Sequence, residues 1–376
     1  MMARLGDIAT YINGFAFKPT DWSDTGLPII RIQDLTGNSY QANRYNGKYD
    51  SKYEVLDGDV LISWSASLGV YVWHGETALL NQHIFKVVFN KVEVDKNFFI
   101  HQVQEILEKA RLEAHGATMK HLTKPVFDSL PFYLPSIEEQ KKIAGKLDKI
   151  CDLITLRKQQ LSKLDELVKS RFIELFGDPV SNPLGWEKKS LKEVCIKLND
   201  GTHFSPESFE TGEYKYVTAK NIKMSGFDFT NITYVPEEVH RPIYERCNPE
   251  LGDVLYIKDG VTTGIAMVNT LDEEFTLLSS VALLKQDRRI MNGYFLTALL
   301  NNENMYTDIR SNMGGAAITR LTIAKLNGIQ VILPPMELQN QFAAFVEQTD
   351  KSKLAIQQSL EKLETLKKAL MQQYFG

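Results

Sequence analysis

Leu134-Pro135-Ser136-Ile137-Glu138-Glu139-Gln140 opens a stretch that closes on Leu175-Phe176-Gly177, and the same frame returns as Leu333-Pro334-Pro335-Met336-Glu337-Leu338-Gln339 through Tyr374-Phe375-Gly376. The offset is 199 residues at both ends, and Glu138, Gln140, Ala144, Leu164, Phe176 and Gly177 find their matches without a gap. A register held over that distance marks an internal duplication. Both copies read as long helices. Proline stands where a helix start tolerates it, and acidic side chains follow in the first turn, where the positive end of the helix dipole favours them. In the first copy Ile143, Leu147, Ile150, Ile154, Leu161, Leu164 and Val168 follow heptad spacing; the second offers Ile356, Leu360, Leu363, Leu366, Leu370 and Tyr374. Each helix would run about 60 Å, too long to leave its stripe bare. Its echo is the natural partner, which gives an antiparallel coiled coil of two long helices. Gln348 to Lys353 interrupt the apolar spacing and leave the continuity of the second helix open.

Outward from the helices lie two globular stretches. Residues 1 to 134 read as a short helix (Leu5-Gly6-Asp7-Ile8), a glycine loop, buried strands such as Leu27 to Ile32 and Gly58 to Ser63, a helix from Phe98 to Ala110 and a last strand, Leu130 to Leu134. Residues 178 to 335 repeat this order, entered through the Gly, Pro and Asn-rich linker 178 to 186. Gly252-Asp253-Val254-Leu255 echoes Gly58-Asp59-Val60-Leu61 at an offset of 194, and Gly315 to Thr322 echoes Gly116 to Thr123 at 199. The expectation is an α+β protein with two similar globular domains (1–134 and 178–335) and two long helices (135–177 and 336–376), related by an internal pseudo-twofold repeat.

Length and composition fit this plan, since 376 residues suit two or three domains. No apolar run is long enough for a membrane span and no basic-then-apolar leader opens the chain. Three scattered cysteines, Cys151, Cys195 and Cys247, argue against a disulfide framework or zinc knuckle and suit a reducing cytoplasm. A net charge of −4 speaks weakly against nucleic acid. The charge is uneven, however: residues 136 to 177 carry nine basic against seven acidic side chains, and 178 to 335 sixteen against twenty. Basic residues gathered on one face would still bind phosphates.

The usual catalytic patterns are missing. There is no phosphate-cradling loop with Lys-Ser or Lys-Thr, no dinucleotide glycine fingerprint, no Gly-x-Ser-x-Gly elbow and no ligand-like histidine spacing. Asn182-Pro183-Leu184-Gly185 lacks the second proline and the aromatic of an amino-methyltransferase motif. What remains is a polar and basic set on loops at matching places in the two copies. In the first these are Asn13, Lys18, Arg31, Gln33, Ser63, Ser65, Asn81, Gln82, His83, Thr118, Lys120 and His121, with Phe15, Phe17 and Trp64 as core candidates. In the second they are Asn199, Thr202, His203, Lys220, Asn221, Lys258, Asp259, Thr319 and Arg320. Asn, Gln, Arg and Lys at loop tips can read base edges with paired hydrogen bonds, and Ser or Thr can hold phosphates.

Two globular stretches, each followed by a helix opening Leu-Pro-x-x-Glu-x-Gln and closing Phe-Gly, the second introduced by Pro183-Leu184-Gly185-Trp186, resemble the specificity subunit of type I restriction-modification systems along the whole chain. The first stretch departs from the pattern by lacking the Gly-Trp pair that introduces the second. The resemblance implies a non-catalytic subunit with two target recognition domains, each reading one half of a bipartite site in double-stranded DNA, with the helices setting the spacer. It implies two methyltransferase subunits and restriction-translocase subunits as partners. They would carry S-adenosylmethionine, ATP and Mg, with no cofactor or metal on this chain. A specificity chain of a type II restriction-methyltransferase system and a coiled-coil interaction scaffold remain as alternatives.

Overall fold

A computed structural model describes residues 1–37, 43–64, 67–113, 123–311 and 320–376. The chain divides into two compact units: residues 1–158 with 358–376, and residues 159–357. Each is a mixed helix and sheet fold with its own apolar core.

In unit one the main sheet is antiparallel, in the order Thr10–Asn13, Ile84–Val88, Val60–Ser63, Gly69–Val72. In unit two the strands Cys195–Asp200, Val281–Gln286, Val254–Ile257 and Ala266–Val268 follow one another in the same order and the same sense. Beside each sheet lies a parallel pair, Leu27–Ile30 with Ala78–Leu80 and Tyr214–Val217 with Phe275–Leu277. A short antiparallel pair closes each unit, Met2–Arg4 on Pro131–Tyr133 and Lys188–Ser190 on Gln330–Ile332. Val254–Ile257 and Val281–Gln286 are buried along their whole length, as near-continuous apolar runs covered on both faces should be. Gly58 and Gly252 turn the chain into equivalent strands with the same φ of 86°, a conformation that favours glycine. Gly14 and Gly201 pass so close to the carbonyls of Asn81 and Leu277 that a Cβ would collide at either. Unit two adds the helix Glu237–Arg246, which packs on Phe275–Leu277.

Both long helices are continuous, Ile137–Phe176 and Met336–Phe375, at 40 residues each; the stretch Gln348 to Lys353 does not interrupt the second. Their shared motif residues have defined work. Gln140, 1 % exposed, donates from Nε2 to Pro135 O (2.9 Å) and accepts from the Asp95 N–H (2.9 Å) ahead of the helix Lys96–Glu113. Gln339, 0 % exposed, donates to Pro334 O (2.8 Å) and Ile290 O (3.0 Å) and accepts from Asn292 N–H (2.9 Å). Each glutamine thereby pins the start of its helix to a neighbouring helix start. Ala144 and Ala343 are buried beside them. The closing phenylalanines enter aromatic clusters. In unit two Phe176 meets Phe295 edge-on at 4.7 Å, and in unit one Phe375 meets Phe98 at 5.5 Å.

Within unit one the helices run antiparallel. Lys146 Nζ donates to Tyr374 OH (3.2 Å), Arg157 Nε to Ser359 Oγ (3.2 Å), and Lys158 pairs with Glu364 at 3.1 Å. Within unit two Lys353 pairs with Asp165 at 2.6 Å. Ile143, Leu147, Ile150 and Leu360 are buried, and Ile154, Leu161, Leu164, Val168, Ile356, Leu363 and Leu370 are half-buried. Leu366 is not: 47 % exposed, it lies off the stripe, whose heptad position falls on half-buried Lys367. A lysine stem covers apolar surface while its ammonium reaches water. The linker after Phe176 is ordered. Trp186 donates from Nε1 to Phe176 O (3.0 Å), and its backbone exchanges two bonds with the Asn182 side chain. The equivalent carbonyl of Phe375 takes Lys109 Nζ instead, at 2.7 Å, so each orphan at a helix C-terminus is satisfied differently.

Candidate nucleic-acid interface

The shared sheet order places the same strand ends in both units, so their side chains can be matched through backbone contacts. Gly14 N–H donates to Ile84 O and Gly201 N–H to Val281 O; Asn81 N–H donates to Ile30 O and Leu278 N–H to Val217 O. This register makes Asn13 the counterpart of Asp200 and Trp64 that of Lys258. The two pairs touch in the same way. Trp64 Nε1 donates to Asn13 Oδ1 at 3.3 Å, and Lys258 Nζ meets Asp200 Oδ2 at 3.1 Å. One unit joins these strand ends by a neutral bond, the other by a buried ion pair whose side chains are 2 % and 4 % exposed. Two further side chains face Asp200, both exposed: the His203 imidazole, Nε2 at 3.2 Å, and the Arg246 guanidinium, Nη1 at 3.6 Å.

The turn after the first strand of each parallel pair matches as well. Arg31 N–H donates to Asp34 Oδ2 (2.7 Å), and Thr218 N–H to Asn221 Oδ1 (3.0 Å). The carboxylate and the carboxamide do the same capping work. They hold an exposed residue between them, Gln33 in one unit and Lys220 in the other. Framework is kept here while the presented side chain changes.

The sequence candidates separate by burial. Asn13, Lys18, Gln33, His203, Lys220 and Arg320 are exposed, and Arg31, Gln82, His83 and Asn199 are half-buried. The Oε1 of Gln82 and Nδ1 of His83 are buried atoms with no hydrogen-bond partner among the described residues, beside Trp64, whose ring lies 5.6 Å from that of His83. Arg320 Nε pairs with Asp259 at 3.5 Å. Asn199 Nδ2 donates to Arg246 O at 3.0 Å. Five candidates belong to the interior instead: Ser63 (0 % exposed), Asn81 (9 %), Thr202 (2 %), Asn221 (4 %) and Lys258 (2 %). Asn221 is committed to Thr218 and to Asp228 O, Lys258 to Asp200, and Thr202 Oγ1 to Phe204 O. Phe17 is buried on Ile29 and Leu79, Trp64 stacks on Phe85 at 5.8 Å, and Phe15 stays 38 % exposed against Phe17 and Tyr53. Ser65, Thr118, Lys120, His121 and Thr319 lie outside the described residues.

Residues not singled out by sequence join this surface. The ring of Trp22 lies 5.7 Å under Arg31, Phe204 and Arg246 are exposed, with Arg246 beside Asp200, and Val261 is exposed on the loop that follows Lys258. None stood out, because their neighbours are distant in sequence. Burial, with Asp253 nearby, pushes the Cys195 thiol up to about 12, and burial does the same for Cys247, leaving both as inert thiols. Burial holds His240 below the usual imidazole value, against the opposing hydrogen bond to Glu274. Among the described residues no group of three His, Cys, Asp or Glu side chains could hold a metal ion, and no helix is long and apolar enough to cross a membrane.

The family described as type I restriction modification DNA specificity domain matches residues 1–166 and again 183–367, and the chain belongs to that family. It is 24 % identical to the type I restriction enzyme EcoBI specificity subunit of Escherichia coli over 92 % of this chain and 78 % of that protein. It is 22 % identical to the MjaVIII specificity subunit of Methanocaldococcus jannaschii, over 98 % and 90 %. Among solved structures, the type I restriction-modification S subunit from M. genitalium superposes with a TM-score of 0.61 at 14 % identity, covering 99 % of this chain and 94 % of that one. A chain from a study of complex assembly and conformational transition of the type I R-M system reaches 0.55 at 18 % identity, covering 100 % and 97 %. At such identities the structures speak for the fold.

Proposed function

We propose that this chain is the DNA-recognition subunit of a type I restriction-modification system, each unit reading one half of a bipartite target. The observation that carries the reading is the pairing of a conserved internal framework with exchanged tips. The same sheet order, turn caps and glycines recur in both units, while Asn13 and Trp64 become Asp200 and Lys258, and Gln33 becomes Lys220. A scaffold that presents different polar side chains, Gln33 and Lys220, from the same exposed turn suits two readers with different targets.

The chain is a non-catalytic member of its complex in this reading. Methyltransferase subunits supply base modification with S-adenosylmethionine, and restriction-translocase subunits supply ATP- and Mg-dependent cleavage. Two matched stripes favour a pair of like partners. Gln159, Lys163 and Leu167 on the first long helix recur as Gln358, Lys362 and Leu366 on the second, all exposed, with both leucines close to half-exposed (48 % and 47 %). No packing within either unit demands identical residues there, whereas two copies of one partner would.

Methylation mapping of the genome of a cell expressing this chain with its companion methyltransferase tests the function. A two-part methylated sequence is expected, and exchange of residues 1–134 for those of a relative should alter one part alone. Methylation without sequence preference, or both parts changing together, would refute it.

A further inference from the structure

The hairpin loop of unit two between Val254–Ile257 and Ala266–Val268 carries Val261 at its tip. At 92 % exposure it is the most exposed large apolar side chain among the described residues. A single apolar residue on a loose surface loop would mean nothing. This loop is fixed. Gly264 N–H donates to Ile257 O (2.8 Å), and both the N–H and Oγ1 of Thr263 donate to Gly260 O (3.2 and 2.6 Å). Arg310 donates to Thr263 O (2.7 Å) while lying 5.3 Å over Tyr306, whose ring fills the place a side chain at Gly264 would take. At the base of the loop Lys258 is held three ways: its N–H by Ser280 O (2.9 Å), its carbonyl by Leu321 N–H (2.8 Å) and its Nζ by Asp200 (3.1 Å).

A valine fixed that firmly into solvent contributes nothing to packing, and its β-branched side chain has little rotamer freedom left to lose on contact. Cations join it through the same network: Arg320 is tied to the loop at Asp259, and Arg246 to its base through Asp200. Cationic shoulders suit phosphates, and an apolar tip between them suits the one apolar group on a base-pair edge, the thymine 5-methyl in the major groove. We propose that Val261 reads a thymine in the half-site of unit two by packing on that methyl group; the proposal rests on the reading of unit two as a DNA reader. The ion pair of Asp200 and Lys258 is then a positioning device, holding the finger straight.

The test uses the full chain assembled with its methyltransferase partner and synthetic duplexes carrying the mapped target, each thymine replaced singly by deoxyuridine, which keeps every hydrogen bond and loses only the methyl. At one position in one half-site, deoxyuridine should weaken binding by the wild-type complex about fourfold, the factor for one buried methyl group. Val261→Ala should show a similar loss on the thymine duplex and indifference to deoxyuridine at that position alone. Val261→Thr, which keeps one of the two γ-methyls, should fall between. A half-site without thymine, losses that add at every position, or an unaltered Val261→Ala complex would each overturn the proposal. Wild-type specificity is measured first: a complex with no sequence preference refutes the DNA-reading function itself, whereas a specific complex indifferent to Val261 refutes only the finger.

Discussion

Replacing Lys258 with methionine removes the cation from a pair in which Asp200 keeps 4 % of its side-chain surface. Breaking a buried pair from one side costs about 3–5 kcal/mol, because a charge is left without its partner. Here Arg246 still faces the carboxylate at 3.6 Å, and this exposed partner offsets part of the loss, leaving roughly 2–3 kcal/mol. In a unit of roughly 200 residues this corresponds to a fall of about 5–10 °C in the midpoint of its transition. Calorimetry of the full chain reads it as a shift in one transition with the other in place. The counterpart in unit one gives a sharper test. Asp200→Asn with Lys258→Trp installs the side chains of the Asn13 and Trp64 pair at the equivalent strand ends, and should be more stable than the sum of the single changes by about 1–2 kcal/mol. A shift below about 2 °C for Lys258→Met, or strict additivity in the cycle, would show that the pair is not what joins these strands.

Other expectations follow from exposed and buried groups. Arg320→Ala should weaken DNA binding by the assembled complex and lower the slope of log affinity against log salt by about one; an unchanged slope in a salt titration would remove it from the interface. Leu167→Asp together with Leu366→Asp should abolish co-elution with the methyltransferase in gel filtration while the chain keeps its melting profile, and a normal complex would dismiss the matched stripes as docking surfaces. Because burial depresses the His240 pKa, the unfolded chain takes the proton first as pH falls. The stability of unit two should be full above the ordinary histidine value near about 6.5 and decline below it. His240→Gln should flatten that decline in melting curves run between about pH 7 and 5. With the Cys195 and Cys247 thiols pushed up to about 12, half-exposed Cys151 should be the first cysteine labelled by iodoacetamide at neutral pH, as peptide mass mapping would read.

The sequence made the duplication legible because its evidence is local: identical residues at a constant offset and a heptad stripe whose period belongs to one element. Gln140 and Gln339 stood out as matches, but their function did not, since it lies in bonds to Asp95 and Asn292, in other parts of the chain. Lys258 read as a surface residue because lysines are almost never buried unless paired, and the pairing with Asp200 exists only once the two strands are neighbours. Leu366 was assigned to the seam by its chemistry, whereas helix geometry reserves that position for Lys367. Equivalent tips also resisted reading. Asn13 aligns most simply with Asn199, yet the strand register sets it against Asp200.

Unit one contains the chain's last nineteen residues, 358 to 376, and among them Met371 is buried in its core with Leu370, Tyr374 and Phe375 packed against it. The consequence concerns synthesis. A ribosome usually releases domains that close in the order in which they are made, but here the unit begun first is completed last, after everything in 159–357 has emerged. Until residues 358–376 arrive, Phe98 lacks the ring of Phe375 and part of the apolar core of unit one stays uncovered.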